Sequence, residues 1–297
     1  MNITLQNGSL LSGDLVISAV LRTDLSPVPA TLEVSLRGSE EIDAQAIEGN
    51  TIKAGNYGYE FRIVKVEKTT EFAGAQNSDV YPPINLTALY DPCHKISFRR
   101  SSAVIKEGAT LGGVYAACGA AIKIDSDFTV SNFGCLIGGV PSYHIAMILQ
   151  EEGGALFLDK GRMKFIRLQD IFKQTPSITI DEDSAQAIES GFLERHEVPF
   201  FYSLVESGDV IFGNRSKVRS AQYKPRADSR VLNNLTRYLV KRKTARLQFS
   251  PSVNAGGVIQ VGKTKYAIIT AAHAYFSGTK GEKVDTYSKF WLASLEE

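Results

Sequence analysis

Short runs rich in β-branched and aromatic residues, each closed by Gly, Pro or Asn, occupy both ends of this chain and commit those ends to sheets. "DLVISAVLR", "TLEVSLR", "YEFRIVKVEK" and "INLTALY" fill the first ninety residues. "SGDVIFG", "SKVRSAQYK", "TRYLVKRKTARLQFS", "GGVIQVG" and "TKYAIITAAHAYF" fill the last hundred. Side chains alternate between the two faces of a strand, so such runs bury one face and wet the other. In "FRIVKVEK" the apolar set Phe61, Ile63, Val64 and Val66 alternates imperfectly with Arg62, Lys65 and Glu67. "TTEFAGAQNSDVYPP" breaks the pattern and predicts a long loop, because Pro82 and Pro83 forbid a helix there.

The middle of the chain changes period. "KISFRRSSAVIKE" reads as strand, and Leu111, Val114, Tyr115 and Cys118 then recur at helical spacing up to Gly119. A second helix is predicted in "PSYHIAMILQEEGG", with Pro141 and Ser142 at its start, Gly153 and Gly154 at its stop, and Ile145, Ile148 and Leu149 as the buried stripe. "ALFLDKGRMKFIRL" predicts a hairpin turning at Asp159-Lys160-Gly161. A further helix is expected within "SAQAIESGFLERH". The fold class is therefore α+β, mainly β. The divisions fall at 1–90 for a first β domain, 91–173 for an inserted small α/β domain and 174–276 for a second β domain, with 277–297 a polar tail carrying the only tryptophan, Trp291.

The chain of 297 residues is 43% hydrophobic and 22% charged, which is globular and too apolar for disorder. The start, "MNITLQNGSL", lacks a secretory pattern, and no apolar run approaches the roughly 18 residues of a membrane helix, so no membrane partner is expected for the free chain. Three cysteines, Cys93, Cys118 and Cys135, are odd in number and widely spaced; they read as reduced thiols in a cytosol. Residues 206–297 hold 16 Lys and Arg against 7 Asp and Glu, a net +9, which leaves −8 for residues 1–205. Such polarity suits contacts between neighbouring subunits and also permits nucleic-acid binding.

Catalytic and ligand-binding motifs fare poorly. Cys93 and His94 are adjacent, and neighbours in an extended chain point apart; Cys118 lies on a helix stripe, and Cys135 sits in "FGCLIGG" without a protease context. His144 falls in the first turn of a helix, His196 stands between carboxylates, and no HxxxH, HExxH or CxxC spacing exists for zinc. "TIDEDSAQ" and "LQEEGG" cluster carboxylates that helix ends explain, Asp181, Glu182 and Asp183 as caps of the helix that follows. "GVIQVGKT" matches a phosphate-binding loop formally, yet its variable positions read as strand and no helix follows. His273, between Ala272 and Ala274, reads as packing. No catalytic residue, cofactor or metal is therefore expected. Arg237, Lys241, Arg242, Lys243 and Arg246 concentrate charge on one strand and form the candidate subunit or partner interface.

The order of pieces resembles the central hub proteins of phage tail baseplates, over roughly residues 1–276. It is carried by "TLEVSL" and "FRIVKVEK", by "GGVPSYHIAMILQEEGGALFLDKGRMKF", and by "ARLQFSPSVNAGGVIQVGKTKYAIITAAHAYF". Asn-Ala-Gly-Gly stands where many hubs have a Pro-Gly-Asp type of turn. The resemblance implies two tail-tube-like β-barrel domains and a non-enzymatic homotrimer assembled in the host cytoplasm into the virion tail baseplate. Such a ring joins the sixfold tail tube to the threefold spike. Its implied partners are tail tube protein, spike protein, other baseplate proteins and tape measure protein. The alternatives are a tail-associated cell-wall hydrolase and a nucleic-acid-binding module.

Overall fold

The computed structural model describes residues 2–68, 82–188, 198–215, 220–278 and 284–296. The predicted loop at 69–83, all but Pro82 and Pro83, and most of the predicted helix at 184–196, with His196, lie outside the described residues. Strands β1 (Ile3–Leu5), β2 (Val16–Asp24), β3 (Ala30–Leu36), β4 (Thr51–Ala54), β5 (Tyr59–Lys68) and β6 (Ile84–Tyr90) open the chain, with helix α1 (Glu40–Gln45) between β3 and β4. The middle holds β7 (Val104–Thr110), α2 (Leu111–Ala117), β8 (Ile124–Asp125), β9 (Thr129–Cys135), α3 (Pro141–Glu151), β10 (Gly154–Asp159), β11 (Arg162–Arg167) and α4 (Leu168–Ile171). The remainder holds β12 (Ile178–Ile180), β13 (Ala185–Ala187), β14 (Phe200–Leu204), β15 (Val210–Phe212), β16 (Ala221–Tyr223), α5 (Ser229–Asn234), β17 (Tyr238–Gln248), β18 (Val258–Val261), β19 (Thr264–Phe276) and β20 (Asp285–Glu296). The class is α+β, mainly β, as expected.

The two β ends of the chain are one sheet. Its strands run β1-β4-β5-β6-β3-β2-β19-β20-β17-β13, with β18 on β19 and β12 on β18, twelve strands in all. The join is the antiparallel ladder from Thr270↔Asp24 to Phe276↔Ser18. No ladder among the described residues closes either half on itself. Alternation sets the faces. On β3, Ala30, Leu32, Val34 and Leu36 are buried while Glu33 is exposed.

Four bulges interrupt the long ladders, with Ile17, Val64, Arg242 and Ile269 as the extra residues against β3, β6, β20 and β20. The one at Val64 is the physical reason for the imperfect alternation in "FRIVKVEK": Phe61 and Ile63 face the core, and one residue is skipped before Val66 rejoins it opposite Leu86.

Four expectations need correction. Residues 277–297 are no polar tail: Asp285–Glu296 is a strand inserted between β17 and β19, where Phe290 and Leu292 are fully buried. The stretch after Tyr90 opens as a 3-10 turn, Asp91–Ser97, with Pro92 near its start, and extends only from Val104. Ala185–Ala187, assigned above to a helix, pairs instead with β17. Residues 198–235 also depart from the β domain expected of them. Their strands make a separate three-stranded sheet, β15-β14-β16, backed by α5.

The middle helices form as predicted. Thr110 accepts the Gly113 N–H at 3.0 Å to cap α2, and Gly119 ends it with φ +92°. The Lys160-Gly161 turn joins β10 to β11 with both φ values positive, as a type I′ turn requires. Fully buried Tyr115 donates its hydroxyl to the Pro27 carbonyl at 2.8 Å, tying α2 to the β2–β3 turn. Gly256 meets β10 from the other side; its φ is +87°, and a Cβ there would lie 2.5 Å from the Phe157 ring.

Replacing Gly256 with Ala should therefore destabilise by about 1–3 kcal/mol, through the strained φ and the overlap with Phe157 together. Urea unfolding checks this: the midpoint should fall with an unchanged slope.

Candidate functional site

His273 is fully buried on β19, flanked by Leu21 of β2 and Ser288 of β20. Ser288 Oγ accepts the Ser250 N–H at 2.8 Å, so its own proton is free to go to His273 Nδ1, also 2.8 Å away. The imidazole hydrogen then sits on Nε2 and faces Asn254 Oδ1 at 3.4 Å. Phe249 and Phe290 meet the ring edge to face, with centroids 6.3 and 6.2 Å away. Burial depresses the His273 pKa to about 4. The ring is shielded and both its nitrogens have partners, as a packing role requires.

The cysteines are equally enclosed. All three are free and buried. Burial raises each thiol, Cys118 to about 11 and Cys93 further, the reverse of what a nucleophile needs. Cys93 and His94 share the 3-10 turn, with Cys93 Sγ directed at the Tyr90 carbonyl and His94 Nδ1 at the Asp91 carbonyl 2.6 Å away. Gly139 lies between Cys135 and His144; a Cβ there would stand 3.0 Å from Sγ and 3.4 Å from Nε2. No group of three or more His, Cys, Asp or Glu able to hold a metal occurs among the described residues.

"GVIQVGKT" is a hairpin. Val258–Val261 pairs with β19, and Gly262, at φ +58°, opens a two-residue turn to Thr264. Of the acidic clusters, Asp181 caps nothing with its side chain: a short 3-10 turn, Glu182–Ser184, follows it, and Glu182 pairs with Lys243. Glu151 and Glu152 do end α3. Carboxylates there oppose the helix dipole, and neighbouring cations offset them. Glu152 receives Arg230 at 2.6 Å and Arg167 at 3.4 Å, Glu151 receives Lys224 at 2.5 Å, and Asn234 caps the Glu151 carbonyl at 3.0 Å. This cluster fastens the β14–β16 sheet to the middle unit.

The five basic residues are largely engaged within the chain. Arg242 meets Glu296 at 2.9 Å, Arg246 meets Asp285 at 2.6 Å, and Arg237 donates to Asn234 Oδ1 at 3.2 Å. The bulge at Arg242 turns Lys243 inward, so that its side chain is only 13% exposed, over Tyr266 and against Glu182. Lys241 lies 5.7 Å from the Trp291 ring, and Lys289 lies 5.1 Å from the same ring. The outward cation and aromatic group is thus Lys241, Lys289 and Trp291. Sequence reasoning missed two of its members by assigning 277–297 to a tail; the signal was the alternation of Lys289 and Trp291 with Phe290 and Leu292. A cleft of about 710 Å³ opens nearby between β2, α3 and β17. Its one carboxylate, Asp24, is held by Thr270 at 2.6 Å and Arg22 at 3.0 Å.

The buried imidazole makes stability depend on pH. Its native pKa of about 4 lies below the unfolded value near 6.5, so the unfolded chain binds the extra proton between them. The His273 contribution is complete above pH 6.5 and falls toward pH 4, by at most about 3 kcal/mol. Urea midpoints of the wild type and of His273→Gln, taken from pH 7.5 to 4.5, should converge as the pH drops.

No protein-family model matches the chain, and no curated protein matches it at a significant level. Solved structures match it in fold. A tail protein from Neisseria meningitidis superposes at TM-score 0.64 with 10% identity, covering 99% of this chain and 95% of that one. A 43 kDa tail protein of prophage MuSo2 from Shewanella oneidensis gives 0.62 at 10% identity, with 99% and 98% covered. An E. coli component of the type VI secretion system, itself described as structurally similar to tail proteins of bacteriophage T4, gives 0.56 at 10% identity, with 100% and 77% covered. The fold of this chain is that of phage tail proteins.

Proposed function

We propose that this chain is a structural hub of a phage tail baseplate, a non-enzymatic homotrimeric ring between the sixfold tail tube and the central spike. The observation that carries the reading is the continuous sheet: one chain presents two β halves fused through the β2–β19 ladder, so three copies present six. The likeness to tail proteins, which spans nearly the whole chain, supports it. In this reading each half closes as a barrel within the ring. The first is built from residues 1–90 and the second from 174 onward, now including β20, with 91–173 as the inserted α/β domain. Tail tube, spike, other baseplate proteins and tape measure protein are its neighbours in the virion tail.

Ring closure needs a heterologous contact, in which two different surfaces of the same chain meet. Lys241 and Lys289, gathered around Trp291, supply the positive surface, and the acidic first two-thirds of the chain supplies its complement. Arg237, Arg242, Lys243 and Arg246 shape that strand through their contacts within the chain.

An electron-microscopy map of the purified particle tests the reading. It should hold three copies in a ring with two barrels each. A ring of six copies, or one barrel per chain, overturns symmetry matching. Changing Lys241 and Lys289 together to Glu should leave the monomer folded by circular dichroism and abolish incorporation into tails.

A further inference from the structure

Among the described residues, the β15-β14-β16 sheet has one face covered and one bare. On the covered side Phe201 and Ser203 are buried and Ile211 packs against the Phe201–Leu232 cluster, with Ser203 Oγ accepting the Ala227 N–H at 3.2 Å. Helix α5 backs this side. The opposite side carries Phe200, Tyr202 and Leu204 from β14, Val210 and Phe212 from β15, and Ala221 and Tyr223 from β16. All seven are apolar or aromatic. Leu204, Val210, Phe212 and Tyr223 are 48, 47, 38 and 46% exposed. Tyr202 sits between Phe212 and Tyr223 in one row across the strands, with ring centroids 6.2 and 5.5 Å apart. A polar-rimmed apolar face of this kind marks an interaction surface, and Tyr, Phe and Arg are the residues such surfaces favour.

We infer that this bare face is the seat of an amphipathic helix from another tail protein, an inference that rests on the reading of the chain as a tail component. Dimensions support a helix. At the Tyr202 row three strands at about 4.8 Å spacing span about 10 Å, the diameter of one helix, and five residues of β14 run about 17 Å, or about eleven helical residues, with β15 flanking one half and β16 the other. A helix laid there completes the layering that α5 begins on the other side. Charge supports it as well. Glu206 and Asp209 stand at the β14–β15 turn, at the Leu204 and Val210 end. Arg215 lies at the other end, its guanidinium 4.1 Å over the Phe212 ring. The positive N-terminus of a helix dipole suits the acidic turn and its negative C-terminus suits Arg215, which fixes the direction of the incoming helix.

Two measurements test the inference. On the full chain, a stapled fourteen-residue amphipathic helix with an apolar stripe, Lys near its N-terminus and Glu near its C-terminus should bind saturably by fluorescence anisotropy. Phe212→Ser combined with Tyr223→Ser should weaken it at least about tenfold, and swapping the peptide's end charges should weaken it further. No saturable binding, equal affinity for the variant, or dimerisation of the chain through this face would overturn the inference. In purified tails, a photo-crosslinker at position 223 should join one segment of a different protein at positions three and four residues apart. Adducts two residues apart, adducts to another copy of this chain, or none from tails that contain it overturn the helix. Absence of the chain from tails overturns the functional reading instead, and the peptide measurement still decides the face.

Discussion

Everything else in this molecule is arranged around the antiparallel pairing of β2 with β19. These strands lie some 250 residues apart in sequence, and their ladder turns two separate sets of strands into one sheet. Thirteen-residue β19 has the length to do this. Its first part pairs with β18, its last part with β2, and β20 lies along most of its other edge. Ala271, Ala272 and Ala274 are buried along it, so neighbouring strands and their larger side chains approach closely. In this alanine run His273 finds a polar partner for each ring nitrogen, Ser288 and Asn254, and so holds β19 to β20 and to the 250–254 loop.

The middle unit depends on the same ladder, because it packs where the two halves meet. Tyr115 reaches the β2–β3 turn on one side. On the other, Lys265 of β19 donates to the Gln174 carbonyl at 3.0 Å and Gln174 donates to the Gly256 carbonyl at 2.8 Å. With Gly256 against Phe157, the α/β unit is clasped from both halves. The cluster around Glu152 then extends that hold to the β14–β16 sheet through Arg230.

The sequence was legible where local chemistry decides structure. Pro141 at the start of α3, Gly119 after α2, and the Lys160-Gly161 and Gly262-Lys263 turns act through their own φ angles, so they could be read one position at a time. The formal phosphate-loop match could be dismissed on the same ground, since Val258 to Val261 have strand chemistry. What escaped were pairings decided at a distance. β20 looked polar because one of its faces is wet, and its placement between β17 and β19 is a tertiary fact. The basic patch looked available for partners because a sequence lists cations without their counterions; Glu182 comes from the 182–184 turn, and Asp285 and Glu296 from the two ends of β20. The aromatic side of β14–β16 was hidden because a face is visible only once three short strands are set side by side.

The four bulges have a mechanical consequence. A ladder with uniform alternation can slide by two residues and restore every face, so under a pull along the strands it yields in small steps. A ladder with one extra residue cannot, because the bulge would have to travel with the slip and would turn every side chain between its old and new positions to the wrong side. Ile17, Val64, Arg242 and Ile269 therefore act as detents on β2, β5, β17 and β19. Such a sheet resists shear along its strands as a unit and, under load, fails by tearing instead of creeping.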